Sequence, residues 1–575
     1  MIKYGGKKRF TVLTLLLVMT LLVAACSGGG NSGNSNKNAS GNTANNNGGS
    51  GVSNDPYGKY EEEITVEMGR TTAKNPKLPK GDTYENNAYT RYVKDELNVV
   101  VKNAFESNGD DYNRQVALAI ASGELPDMMR VDTKQELKEL VDNDLIADLT
   151  DVYDKFATPH IKSIYNSYDG RALENATIDG RLMALPTTAV DAAPTMVWLR
   201  QDWIDDLGLT VDEDKDKVIS VQEIENLAKQ FIENDPGKSG NNIGIPFVNT
   251  LNATDYGASA FTMSGVASVF NAFPQYWIEE EGKVVYGSTT ETTKQSLELM
   301  ADWFKKGIVD PQFGTRTWDD IMALVVNNQT GIVFGPWHMP DWGLMTVKQS
   351  DPKTNFVAYT LGDENGKVNV IHANPSSQFM VVKKDYKHPE IAVKILNLFF
   401  DKIVNDKNLA ENAPEVAKYQ EDAVDNSARP INIEVHSATS LLEDYSDISR
   451  AITDEIKLEE VRTAESRYNV LSIKSYLEEQ DGSNVTGWAR YASRMEGIGL
   501  IHTVTENNQF HWTTPVFSDT TMTMQQAWAN LQKMEQETFM KIVTGVSPIS
   551  EFDKFVEDWH KQGGTQILKE IEAER

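Results

Sequence analysis

The chain of 575 residues has a single cysteine, Cys26. It cannot close an intramolecular disulfide, so no disulfide framework holds this fold together. Histidine is scarce, at eight residues with no ligand spacing among them, and no CxxC or HExxH occurs. Zinc sites and redox pairs of the usual kinds are excluded. No P-loop glycine pattern and no GxSxG elbow is present, which removes the commonest signatures of nucleotide hydrolysis and serine hydrolysis. Basic residues are outnumbered 55 to 84 by acidic ones, for a formal net charge of −29. Such a chain lacks the excess positive charge that phosphate backbones require, so nucleic acid is not an expected partner. The same balance disfavours docking on an anionic membrane surface or binding polyanionic sugars, unless a local basic cleft exists. Past residue 25 there is no apolar run long enough to span a bilayer.

What is present begins at the N-terminus. Lys3, Lys7, Lys8 and Arg9 precede an apolar run from Phe10 to Val23. That is a positive segment and a hydrophobic segment of secretory-signal length. Leu22-Val23-Ala24-Ala25-Cys26 follows, and it resembles a bacterial lipobox. The resemblance implies cleavage after Ala25, a diacylglyceryl thioether on the Cys26 sulfur and an acylated new N-terminus. Several acyl chains hold a protein stably where one does not. The bland reading is a plain secretory signal with an incidental cysteine. On the lipobox resemblance residues 26–58 are expected to be the lipidated cysteine and a Gly/Asn/Ser tether, whose composition cannot bury enough apolar surface to fold.

Beyond the tether, strands alternate with helices. Residues 63–68, 99–101, 126–129, 196–199, 245–248, 331–334 and 379–382 read as strands. Helical periodicity covers 87–96, 111–121, 134–141, 292–306, 318–326 and 389–400. Ser220 with Glu223 forms a capping box that opens another helix. The alternation predicts an α/β lobe with a mainly parallel sheet, and the last third predicts a helix-rich segment.

Several stretches together resemble the ABC-transporter solute-binding proteins of family 1, in the large lipoprotein branch of Gram-positive bacteria. They are Ala121-Ser122-Gly123-Glu124-Leu125-Pro126-Asp127, Asp179-Gly180-Arg181-Leu182-Met183-Ala184-Leu185-Pro186, and the run from Leu199 to Leu209. Lys387-His388-Pro389-Glu390-Ile391-Ala392-Val393 and the run from Gly545 to Phe555 complete the set. The resemblance implies a periplasmic-binding-protein-like fold of type II, with two α/β lobes, a hinge and a ligand between them. It divides the chain into a signal peptide at 1–25, the tether at 26–58, lobe 1 at 59–186 and lobe 2 at 187–345. A return segment to lobe 1 is expected at 346–410, and a helical part, mostly lobe 2, at 411–575.

The resemblance also implies a function: an extracytoplasmic, lipid-anchored, monomeric protein that captures a solute, an oligosaccharide above all, for a membrane permease. The alternatives are a surface-anchored glycan-active enzyme, for which 84 acidic residues always offer some carboxylate pair, and a binding module for a sensor system. No catalytic residue is assigned. Sugar clefts use flat aromatic faces and planar polar groups. Trp337, in Gly335-Pro336-Trp337, is similar to the tryptophan that maltose-binding proteins place under a sugar ring. Asp191 follows the first crossover between the lobes, which the resemblance implies near Leu185-Pro186, and Tyr256, with Asp255, resembles an acidic-aromatic pair. Arg70 lies on the loop after the first strand, where open sheets bind ligands. Each has a packing or surface reading beside it, and Trp198 and Trp203 are read as packing only. Asp212, Asp214, Asp216, Val218, Ser220 and Glu223 fit the ligand spacing of an EF-hand loop, with Lys217 where glycine belongs. The bland reading there is an acidic loop whose Ser220 and Glu223 cap a helix. Calcium is therefore only a candidate, and no metal or cofactor is assigned.

Overall fold

The computed structural model describes residues 55–73, 78–188, 194–248, 262–372, 374–422, 424, 426–479 and 482–575. Cys26 lies outside them. Two sheets organise the body. The first has the spatial order Val99–Ser107, Ile64–Thr71, Met128–Val131, Phe379–Val382, Leu185–Pro186. The first three strands run parallel, and Phe379–Val382 is antiparallel to both its neighbours. The second has the order Ile332–Gly335, Met196–Arg200, Phe356–Leu361, Val218–Ile219, with only the last pair parallel. Apart from Phe379–Val382 in the first sheet and Met196–Arg200 in the second, the strands of each sheet run one way, so the mainly parallel sheet expected of the α/β lobe is found. A strand arriving from the other lobe enters at the edge where the resident strands leave, so it must run against them. The predicted strand at 245–248 is corrected, being reduced to one bridge between Ile245 and Val309.

The local rules hold well elsewhere. Asn87, Thr133, Ser220 and Thr317 each accept a backbone N–H from the first turn of the helix they open, and the third helical residue answers back in all four. In Met196–Arg200 every residue is buried, and the side chains alternate between two cores. Met196 and Trp198 join one core, Val197 and Leu199 the other. Such a strand carries no polar alternation, as expected for a sheet covered on both faces.

Residues 346–410 divide between the sheets, since Phe356–Leu361 belongs to the second and Phe379–Val382 to the first. The last third divides as well. Val416, Tyr419, Ile431, Ile433 and Val435 pack in the first lobe's core. Trp488, Ile498 and Val504 pack against one face of the second sheet, and Phe539, Phe552 and Trp559 against the other.

Three chain passages between the lobes meet side by side. Thr187 N donates to Gln378 O at 2.8 Å, and Thr188 N donates to Glu434 O at 2.8 Å. Thr188 Oγ1 donates to His436 O at 2.8 Å and accepts from His436 N at 2.7 Å. Tyr168 Oη donates to the same His436 carbonyl at 2.8 Å. This hydrogen-bonded bundle of crossovers is a hinge, because the chain can bend there without breaking either core.

Candidate functional site

The pairing register decides which edges face the hinge. Phe379 opposes both Val131 and Pro186, so the C-terminal ends of the parallel strands of sheet one lie on the crossover side. In sheet two Gly335 opposes Met196, the first residue after the crossover strand begins. Pro336 and Trp337 therefore emerge from the edge directed at the other lobe. Ligands of α/β sheets bind at edges of this kind.

On the second lobe, Trp198 is fully buried, and its Nε1 donates to Pro336 O at 3.1 Å, propping the turn that carries Trp337. Trp203 is buried as well, with the Arg200 guanidinium 4.5 Å from its ring centroid. Both tryptophans read as packing do pack. Trp337 is half-buried. The Arg494 guanidinium lies 5.4 Å from its centroid, and Arg494 is held by Asp341. Asp341 also accepts from Arg490 at 2.9 Å. The helical run carrying Arg494 comes close because residue 497 is glycine, where a Cβ would stand 2.6 Å from the Trp337 carbonyl oxygen. His338 packs edge-on to Trp337 with centroids 4.9 Å apart, and its Nδ1 accepts from Trp342 Nε1 at 3.0 Å. Burial lowers the His338 pKa, with Asp341 opposing and Arg494 assisting, which fits a neutral, accepting ring. Trp342 in turn packs on Trp318 at 4.5 Å.

On the first lobe, Arg70 is fully buried rather than displayed on a loop. Its Nη2 donates to Ser427 O at 3.0 Å and Ala428 O at 2.8 Å. Nε and Nη1 have no partner among the described residues. Burial pulls the guanidinium down to about 10, against the charge of Glu106. Arg130 donates to Asn432 O at 3.2 Å and pairs with Asp132 at 2.7 Å. Arg429 stacks on Phe400 at 5.6 Å and pairs with Glu434 at 2.9 Å. Burial would raise the Glu434 carboxyl, but Arg429 and His436 outweigh it and hold it down to about 2. The first lobe thus brings three arginines to its hinge-side edge, on strands and on the segment 427–434, in a chain that is acidic overall.

Arg70 and Trp337 therefore occupy the hinge-side edges of opposite lobes. Asp191, Tyr256 and Asp255 lie outside the described residues. Sequence reasoning missed Arg130, Arg429, Arg494, Trp318 and Trp342. Arg494 joins Trp337 across 157 positions of chain, and no local pattern signals that meeting.

In the acidic loop the carboxylates accept hydrogen bonds from the chain itself. Asp212 accepts the N–H groups of Asp216 and Lys217, both at 3.1 Å. Asp216 accepts from Val218 N at 3.0 Å and Gln509 Nε2 at 2.6 Å. Glu223 accepts from Ser220 N at 2.8 Å and Asp212 N at 3.1 Å. Among the described residues no three His, Cys, Asp or Glu side chains converge to hold a metal. Lys217, at the place where a calcium loop has glycine, is in the left-handed region at φ 66°.

Aromatic faces, a neutral histidine and carboxylate-anchored guanidiniums suit the holding of a polar, ring-shaped molecule. The family model for bacterial extracellular solute-binding proteins matches residues 87–413. A fructooligosaccharide ABC transporter substrate-binding protein, FusA of Streptococcus pneumoniae, is 22% identical over 299 residues, covering 49% of this chain and 52% of FusA. The match thus spans about half the length of that relative. The polygalacturonan/rhamnogalacturonan-binding protein YtcQ of Bacillus subtilis is 21% identical over 400 residues, 69% of this chain and 71% of YtcQ. The crystal structure of alginate-binding protein AlgQ2 superposes with a TM-score of 0.56 at 15% identity, covering 89% of this chain and 97% of that one. The two-lobed fold is shared with it. The chain belongs to the bacterial extracellular solute-binding protein family.

Proposed function

We propose that this protein captures an oligosaccharide between its lobes and delivers it to the permease of an ABC importer. The observation that carries the reading is the Trp337 turn, an aromatic face braced by Trp198 and Arg494 on an edge directed at the other lobe. A pyranose ring offers C–H groups to such a face, and its hydroxyls need planar partners like Arg494 and Asp341. Asp191 and Tyr256 complete the proposed ligand set, with the buried Arg70 supporting the first-lobe edge from beneath. Two relatives whose names specify glycans, one of fructose units and one of galacturonan, support the class. Closure about the hinge would follow from tighter binding in the closed form. The lipobox reading makes Cys26 the membrane anchor and puts the protein on the outer face of the membrane.

The test is thermal melting and calorimetry of the protein lacking residues 1–26 against fructo-oligosaccharides and oligogalacturonides. Binding to the folded state raises the midpoint by mass action. Capture predicts a raised midpoint and glycan recovered intact; recovery of shortened glycan would replace capture by hydrolysis. Trp337→Ala should weaken binding about tenfold or more. In cells, Cys26→Ala should release the protein into the medium, and its retention would overturn the anchor.

A further inference from the structure

Eleven tryptophans occur in the chain, and all lie within the described residues. Ten are buried or half-buried; Trp512 is 42% exposed. It belongs to none of the hydrophobic cores, although Phe510, two residues earlier on the same strand, packs against one of them. An indole left partly in water forgoes about 25 cal/mol for each Å² it could still bury, and the fold covers only part of this one.

Its position is specific. The strand Phe510–Thr513 pairs in parallel with Val368–Ile371, with Trp512 opposite Val370. The chain leaves that ladder at His372, whose N–H still donates to Thr513 O at 2.8 Å, and passes directly into the crossover to Phe379. The Trp512 ring lies 5.3 Å from His372 and 5.0 Å from Phe510. His372 is in turn 2.6 Å from Nη2 of Arg171, a first-lobe residue. A few residues on, Asp519 pairs with Lys134 of the first lobe at 3.5 Å. Trp512 thus stands on the second lobe at its boundary with the first, beside one of the hinge strands.

The geometry points to Trp512 as a glycan-stacking platform at the hinge end of the interlobe boundary, separate from the Trp337 turn. One exposed indole amid imidazole, guanidinium and amide groups is far below the area that a protein partner would bury. It matches one pyranose ring, whose C–H face covers the indole while its hydroxyls reach the polar rim. With Trp337 on another part of the same lobe, the ligand would be held at two aromatic sites, which requires a glycan of several units rather than a single sugar. The inference rests on the glycan reading above.

The experiment titrates the wild type, Trp512→Ala, Trp512→Phe and Trp337→Ala with a tetragalacturonide and a fructotetraose by calorimetry. Acrylamide quenching of tryptophan fluorescence is followed in parallel. Because the side chain lies outside the cores, both Trp512 variants should melt with the wild type. Trp512→Ala should bind the accepted glycan about tenfold more weakly, and Trp512→Phe, which keeps an aromatic face, within about threefold. Glycan should protect one readily quenched tryptophan in the wild type, and that protected component should be missing from Trp512→Phe. Wild-type affinity in Trp512→Ala, with affinity lost in Trp337→Ala, would overturn the platform and keep the glycan reading. Failure of the wild type to bind either glycan would overturn both.

Discussion

Among 84 acidic residues, Glu535 is one of a handful that are buried. It is 2% exposed. It accepts from Tyr286 Oη at 2.8 Å, Ser288 Oγ at 3.0 Å and Gln275 Nε2 at 3.2 Å. Burial raises its carboxyl to about 7, although all three hydrogen bonds pull the other way. The folded state therefore holds this proton more tightly than the unfolded chain does. Its contribution is fully present below the unfolded value near 4.5 and is lost as pH rises through 7, by up to about 3 kcal/mol. Glu535→Gln should flatten that part of the pH–stability curve and melt higher than the wild type at pH 8, while matching it near pH 4; equal melting at pH 8 would contradict this. Lys394 is the opposite case. It is fully buried, its Nζ donates to Gly58 O at 2.7 Å, and it lies 4.6 Å from the Tyr60 ring centroid. Burial lowers its pKa. Lys394→Ala leaves a cavity and an unpaired carbonyl, so urea unfolding should show a loss of roughly 2–4 kcal/mol. Neither residue is distinguishable by composition or spacing, because burial is a property of the assembled core.

Helix starts were legible at the scale of the element. Ser220 and Glu223 form the reciprocal cap read from their spacing, at 3.2 Å and 2.8 Å. Ser220→Ala should cost about 1 kcal/mol, read as a lower unfolding midpoint in urea. The same two residues also fit the calcium-loop spacing, and the cap they form is compatible with either reading. Spacing along the chain cannot distinguish the two readings, because a cation site requires several oxygens to point at one place. Strands were less legible than helices. Residues 245–248 have the right composition, yet strand formation depends on a neighbour at the right register, and only Ile245 finds one. The Trp337 turn shows both sides. Its glycine, proline and tryptophan are local and could be read. Its supports, Trp198 and Arg494, come from elsewhere in the chain.

Taken whole, the molecule is two lobes joined by three passages, and polar contacts between described residues bridge the lobes. Lys134–Asp519 is one, at 3.5 Å, with both side chains about one-third exposed or less. A pair this accessible contributes about 0–1 kcal/mol to stability, but it acts on the hinge equilibrium, where a small bias shifts populations. Asp519→Lys should leave the melting midpoint within about 1 °C and expand the free protein in small-angle scattering. Adding Lys134→Asp should restore the compact form, and an unchanged radius in the single variant would remove the pair from any role in closure. Ligand should contract the wild type.

The sequence by itself determined what depends on neighbours along the chain. The signal-like N-terminus, the lipobox pattern, the capping boxes, the helical periodicity and the order of family-like segments are all local. They sufficed for the fold class and the family. Tertiary structure alone decided what depends on residues far apart in sequence. It decided that the returning strand Phe379–Val382 runs against its neighbours, and that residues 416–435 pack in the first lobe. It also buried Arg70 beneath the carbonyls of Ser427 and Ala428 and left Trp512 partly exposed at the hinge. The physical reason is that secondary structure answers to steric and hydrogen-bonding preferences within a few residues, whereas burial, pairing direction and a site's charge are set by whichever segments the chain brings back to the same place.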